Sequence, residues 1–237
     1  MENVAGKSKR KKGWKSVLII VSSVLAALIL ALLLLAGFAF AGPLKTLSII
    51  RIESVYRDRK PGSIIFYGAS NFALWHNLED DMFPFSVQNH GFGGSTDNDL
   101  MHFADRILFP FEPSIVVFQS GSNDFMHMTV DEIFANKHKM FTVFRRELPD
   151  ATFVVMSMLP LPGRNEISEE SIMVNNFLRE YCAENTDMIF IDSTDIMMTS
   201  NGDYRPELFR KDGIHLNREG QLLWGALIKQ ELEKITS

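Results

Sequence analysis

Four short, nearly uninterrupted apolar runs do most to limit the folds open to this 237-residue chain: Ser63–Tyr67, Ser114–Phe118, Ala151–Met156 and Met188–Ile191. A weaker run lies at Phe85–Val87. A strand with one wet face alternates apolar and polar residues, whereas continuous runs suit strands covered on both faces, as in a parallel sheet. Helix-period segments separate the runs, the best at Thr96–Leu108, Val130–Leu148, Ser168–Asn185 and Arg218–Ile235. Ser168-Glu169-Glu170-Ser171 puts acids in a first turn, and Thr129 is placed to cap the helix from Val130. Strand–helix alternation over this length predicts one doubly wound α/β sandwich spanning 63–237. In such sheets ligands bind beyond the carboxyl ends of the strands, so the residues just after each apolar run deserve the closest reading.

The N-terminus follows a different rule. Val17 to Ala41 holds no charged residue, and a helix of that length reaches roughly 37 Å, enough to cross a hydrocarbon core of about 30 Å. Lys7, Lys9, Arg10, Lys11, Lys12 and Lys15 precede it, against the single acid Glu2. The expectation is a basic cytoplasmic tail (1–16), a transmembrane anchor (17–41), a linker (42–62) with no clean period, and a domain on the extracytoplasmic side. A secreted domain released by signal cleavage after Ala39-Phe40-Ala41 is the alternative, although a signal core is usually about 7 to 15 residues.

With the tail set aside, 18 basic and 28 acidic residues remain, a net charge near −10. That field opposes nucleic acid as a partner, and the basic tail is explained by topology. Cys182, the sole cysteine, excludes an intrachain disulfide and reads as a buried structural thiol.

Four places carry residues suited to chemistry. Phe66-Tyr67-Gly68-Ala69-Ser70-Asn71 ends the first strong run, where a glycine and a small residue permit a tight turn that lifts the Ser70 hydroxyl above the sheet edge. Read alone, Ser70 is equally a helix cap. Asn89-His90-Gly91-Phe92-Gly93-Gly94-Ser95-Thr96 is a loop whose backbone can approach a ligand; it lacks the Gly-Lys-Ser/Thr of a P-loop. Gln119-Ser120-Gly121-Ser122-Asn123-Asp124 offers an Asn amide to a developing oxyanion, with Asp124 to brace the loop, though both are also common turn formers. Lys211-Asp212-Gly213-Ile214-His215 places a carboxylate against an imidazole across a glycine bend. Asp124 and His127 share that spacing and rank lower, because His127 lies between Met126 and Met128. Together the four predict Ser70 as nucleophile, His215 as base, Asp212 as its orienting acid, and an oxyanion hole from the Ser70 and Gly94 amides and the Asn123 side chain. His76, His90, His102 and His138 show no metal-ligand spacing and read as solvated or packing residues, so no metal or cofactor is expected.

The four blocks resemble those of the SGNH/GDSL hydrolase superfamily, in the order Ser, Gly, Asn, then Asp and His. Gly68-Ala69-Ser70-Asn71 departs from the family's Gly-Asp-Ser-Leu in lacking the acid, while Gly94, Asn123 and Asp212-Gly213-Ile214-His215 match its pattern. The resemblance implies a flavodoxin-like three-layer α/β/α sandwich with a five-stranded parallel sheet, no metal, and serine-dependent acyl-ester hydrolysis. The substrate would be a small acyl ester or an acylated glycan. O-acyl transfer or deacetylation on a cell-surface glycan is the chemical rival, and a non-catalytic binding module is the rival of another class.

Overall fold

The computed structural model describes residues 18–32, 43–58 and 61–237. They group into two compact units, 1–47 and 48–237. In the first unit residues 18–32 are helical (α1). Among the described residues no helix is long and apolar enough to cross a membrane. The rest of the expected anchor, residues 17 and 33–41, lies outside the described residues.

The second unit is an α/β fold. Its strands β1 (Ile64–Gly68), β2 (Val87–Asn89), β3 (Ile115–Gln119), β4 (Thr152–Met156) and β5 (Met188–Ile191) form one parallel sheet in the order β2-β1-β3-β4-β5. This is the flavodoxin-like order, with its switch point between β1 and β3. Side chains leave a strand on alternate faces, so a run apolar at every position feeds two cores. Ile65 and Tyr67 of β1 point into one core with Val116, Phe118, Phe153 and Val155. Ile64 and Phe66 point into the other with Val117, Val154 and Met156.

Helices fill both faces. The first core is closed by α2 (Pro43–Tyr56), α5 (Asp97–Ile107), α6 (Val130–Glu147) and α7 (Ser168–Ala183). The second is closed by the short α3 (Ser70–Ala73) and α4 (Leu78–Asp81), and by α8 (Thr194–Met197) and α9 (Arg218–Thr236). Capping boxes start α5 and α6, Thr96 with Asp99 and Thr129 with Glu132, each tying up otherwise unpaired amides of a first turn. Asn217 caps α9 through the Gly220 amide.

The predicted linker is corrected over much of its length. Residues Pro43–Tyr56 are helical, and Ile49, Ile52 and Tyr56 enter the first core. Leu47, Ile50 and Val55 are exposed on the same helix, and this apolar residue on nearly every side erased the amphipathic period that would have announced it. Cys182 is buried, and burial pushes its thiol up to about 12, as a structural cysteine requires.

Candidate active site

The site begins where β1 ends. A Cβ on Gly68 would lie 2.1 Å from the Gln119 carbonyl oxygen, so only glycine lets β1 and β3 run this close at their carboxyl ends. The chain then turns at Ala69 into α3, whose first residue is Ser70. Gly91 serves the same turn from the other side, since a Cβ there would meet Phe72 and the Ala73 amide at 2.6 Å. The loop after β2 therefore packs directly on the serine turn.

His215 arrives from 145 residues away. Phe209 and Leu216 form a single antiparallel bridge, and the Arg210 amide donates to the His215 carbonyl at 2.7 Å, which makes a tight hairpin ahead of α9. Gly213 sits at its bend with φ +64°, where a Cβ would press on Gly163. Asp212 accepts from the Ile214 and His215 amides through Oδ1 (2.8 and 2.9 Å) and from His215 Nδ1 through Oδ2 (2.8 Å). Desolvation pushes this carboxyl up, but the bonds donated by the His215 amide, the His215 ring and the Ile214 amide outweigh it and hold it at about 2. An ionised carboxylate can only accept, so Nδ1 carries the imidazole proton. Nε2 is left as acceptor, 2.9 Å from Ser70 Oγ.

Asn71, beside the serine, staples the two loops together. Its Oδ1 accepts from the Leu216 amide (2.9 Å) and its Nδ2 reaches the Ile214 carbonyl (3.5 Å). The sequence gives no hint of this role, because a polar residue after a candidate serine looks like any turn residue.

The remaining predicted residues occupy two neighbouring loops. Gly94 has φ +69° in the loop between β2 and α5. Asn123, after β3, donates from Nδ2 to the carbonyl of Ser95 (3.0 Å), which follows Gly94. The Arg164 guanidinium approaches Asn123 Oδ1 at 3.5 Å and donates to the Ser122 carbonyl, fixing which way the amide faces. No local pattern marks Arg164, which stands eight residues beyond β4. It also lines a cavity of about 300 Å³, together with the apolar Met158, Leu161, Ile172 and Met198 and with polar residues that include Asn165, Asn175 and Tyr204.

The competing pair Asp124–His127 does not form. Asp124 is fully buried and turns inward to accept the Asp97 amide at 3.0 Å, while His127 is exposed. His90 is buried between the Ile107 carbonyl and Gln88, and desolvation pushes its pKa down to about 4, so it is a neutral packing residue. His76, His102 and His138 are exposed. Phe72, Trp75 and Phe92 belong to the core, Phe72 and Trp75 both stacking on Trp224. Among the described residues no group of three or more His, Cys, Asp or Glu could hold a metal ion.

Residues 62–223 match the family model of the GDSL-like Lipase/Acylhydrolase family. No curated protein matches the sequence. Among solved structures, a protein from Streptococcus pneumonia superposes with TM-score 0.74 at 18% identity, over 86% of this chain and 99% of that one. A lipase/acylhydrolase from Enterococcus faecalis gives 0.63 at 22% identity, over 73% and 96%. A carbohydrate esterase family 3 protein from Talaromyces cellulolyticus gives 0.56 at 15% identity, over 73% and 97%. At these identities the likenesses speak for the shared fold.

Proposed function

Because the chain belongs to the GDSL-like lipase/acylhydrolase family, we propose that it is a serine-dependent acyl-ester hydrolase built on Ser70, His215 and Asp212. The observation that carries this reading is the unbroken relay from Ser70 Oγ to His215 Nε2 (2.9 Å) and from His215 Nδ1 to Asp212 Oδ2 (2.8 Å). In the proposed reaction Ser70 Oγ attacks the ester carbonyl and its proton passes to His215 Nε2. Asp212 keeps the ring in the accepting tautomer and stabilises the imidazolium that results. The negative charge that develops on the carbonyl oxygen is held by the Ser70 and Gly94 amides and Asn123 Nδ2. One such donor is typically worth about 2.7 to 4 kcal/mol in the transition state. Collapse of the tetrahedral intermediate expels the alcohol, which takes the proton from Nε2. Water, deprotonated by the same nitrogen, then attacks the acyl carbonyl, and the acid leaves as Ser70 Oγ takes the proton back from Nε2.

The charge-free run 17–41 behind six basic residues supports an anchored enzyme that works on the extracytoplasmic side. The apolar cavity beside Arg164 is the proposed seat for the hydrocarbon part of the ester. A panel of p-nitrophenyl esters of rising chain length, given to the full-length chain in detergent, tests the activity. Turnover that vanishes in both Ser70→Ala and His215→Ala agrees with the proposal, and turnover that survives both contradicts it. A transferase acting on a surface glycan would instead stay nearly idle until a sugar acceptor was added.

A further inference from the structure

Lys137 is wholly buried on the inner face of α6, an unusual place for a lysine unless it is paired. Its ammonium contacts Asp97 Oδ2 at 3.0 Å and Oδ1 at 3.3 Å, and Ser120 Oγ at 3.1 Å, and it lies 5.9 Å from the centre of the Phe118 ring. Ser120 in turn donates to Asp97 Oδ1 at 2.5 Å, and the Asp97 amide donates to Asp124 Oδ1 at 3.0 Å. Lys137, Asp97 and Asp124 have no measurable exposure, and Ser120 only 3%.

The cluster joins the two loops that carry the proposed oxyanion donors. Asp97 opens α5 three residues after Gly94, and Ser120 and Asp124 flank Asn123 in the loop after β3. At Gly121, φ +119°, a Cβ would come 3.4 Å from the Lys137 ammonium, so the loop backbone lies against the charge. Such a buried ion pair adds little to stability compared with apolar packing, but it can hold one arrangement against others. We propose that Lys137, Asp97, Ser120 and Asp124 are positioning residues that fix the spacing of Gly94 and Asn123 and so set the turnover rate. The proposal rests on the oxyanion role given above to Gly94 and Asn123.

The cluster has a built-in dependence on pH. Asp124 faces Asp97 and Asp99 of α5 and Lys137 of α6. Burial, and then the Asp97 charge, raise its carboxyl to about 7, with Asp99 adding to the rise and Lys137 and the Asp97 amide opposing it. Its Oδ2 has no hydrogen-bond partner among the described residues. Once ionised, Asp124 repels Asp97, whose amide it holds, and the two loops are pushed apart.

The test uses the full-length chain and initial rates on a p-nitrophenyl ester. Lys137→Met combined with Asp97→Asn removes the pair without leaving a lone buried charge. In a variant whose circular dichroism matches the wild type, kcat falls roughly tenfold to a hundredfold, the scale of small misplacements in a site, while KM stays within about twofold. The second measurement needs no disruptive variant. The ratio of Asp124→Asn to wild-type kcat rises as pH rises through about 7, because the variant keeps the acceptor and cannot ionise, while the need for a neutral His215 base is common to both and cancels. A folded double variant with wild-type kcat, or superimposable pH profiles for Asp124→Asn and wild type, overturns the proposal. Ser70→Ala run alongside keeps the two readings apart: turnover that survives it defeats the hydrolase reading, whereas turnover lost there but normal in the cluster variants defeats only the positioning role.

Discussion

Ser70 Oγ and His215 Nε2 stand 2.9 Å apart across 145 residues of chain, one at the end of the first strand and the other just before the last helix. Two polar groups from opposite ends of a domain meet at this distance only if everything between them is placed correctly. The parallel sheet provides the platform, Gly68 and Gly91 let the serine turn close, and the Asp212–His215 hairpin leans over it.

The Asp212 carboxyl gives a prediction with a definite sign. Its folded pKa, about 2, lies below the ordinary carboxylate value, so the stability it contributes is fully present above the unfolded pKa and is lost as pH falls from near 4 toward 2. Asp212→Asn is therefore expected to show its largest deficit in urea midpoint at neutral pH and to converge on the wild type by about pH 2. Its kcat should fall by roughly 10⁴-fold, as when a triad carboxylate becomes an amide in serine proteases.

Asn71 tests whether the base is held or merely nearby. Asn71→Ala removes the acceptor for the buried Leu216 amide, and leaving such a group unpaired costs about 1–3 kcal/mol. For a domain of this size that corresponds to a melting point lower by roughly 2–12 °C. Because the His215 hairpin loses its tie to the serine turn, kcat should drop more than KM rises. A loss of stability with kcat intact would show that the hairpin holds itself.

These two residues mark where sequence reading succeeds and where it ends. Asp212 and His215 were legible because a carboxylate three residues from a histidine, across a glycine, is a local pattern. The sheet was legible because strands buried on both faces must be apolar throughout. Asn71, Arg164 and the Lys137–Asp97 pair were not, since each acquires its role from a partner 40 to 145 residues away and follows no local periodicity. Helix α2 was missed for the opposite reason: its exposed Leu47, Ile50 and Val55 obscured the buried stripe of Ile49, Ile52 and Tyr56.

The cavity beside Arg164 predicts a change of selectivity. Ile172 lines it from α7, with 60% of the residue exposed, so a larger side chain can be accommodated there without disturbing the core. Ile172→Trp should reduce kcat/KM for long-chain p-nitrophenyl esters and spare the acetate. An unchanged chain-length profile would place the hydrocarbon elsewhere.

Topology decides which substrates the enzyme can meet. Protease added to intact cells or spheroplasts should degrade the domain and spare the basic tail, with the full-length chain found in the membrane fraction beforehand. Recovery of a soluble chain beginning at Gly42 would replace the anchor by a cleaved signal, and a protected domain would reverse the orientation.

The most direct measurement of the central claim is covalent. The full-length protein is treated with a fluorophosphonate, digested, and the peptides weighed. A phosphonyl group on Ser70, absent in Ser70→Ala and strongly slowed in His215→Ala, is the predicted result. An adduct on a different serine, or none on a folded protein that still hydrolyses esters, would contradict the assignment of Ser70 as nucleophile.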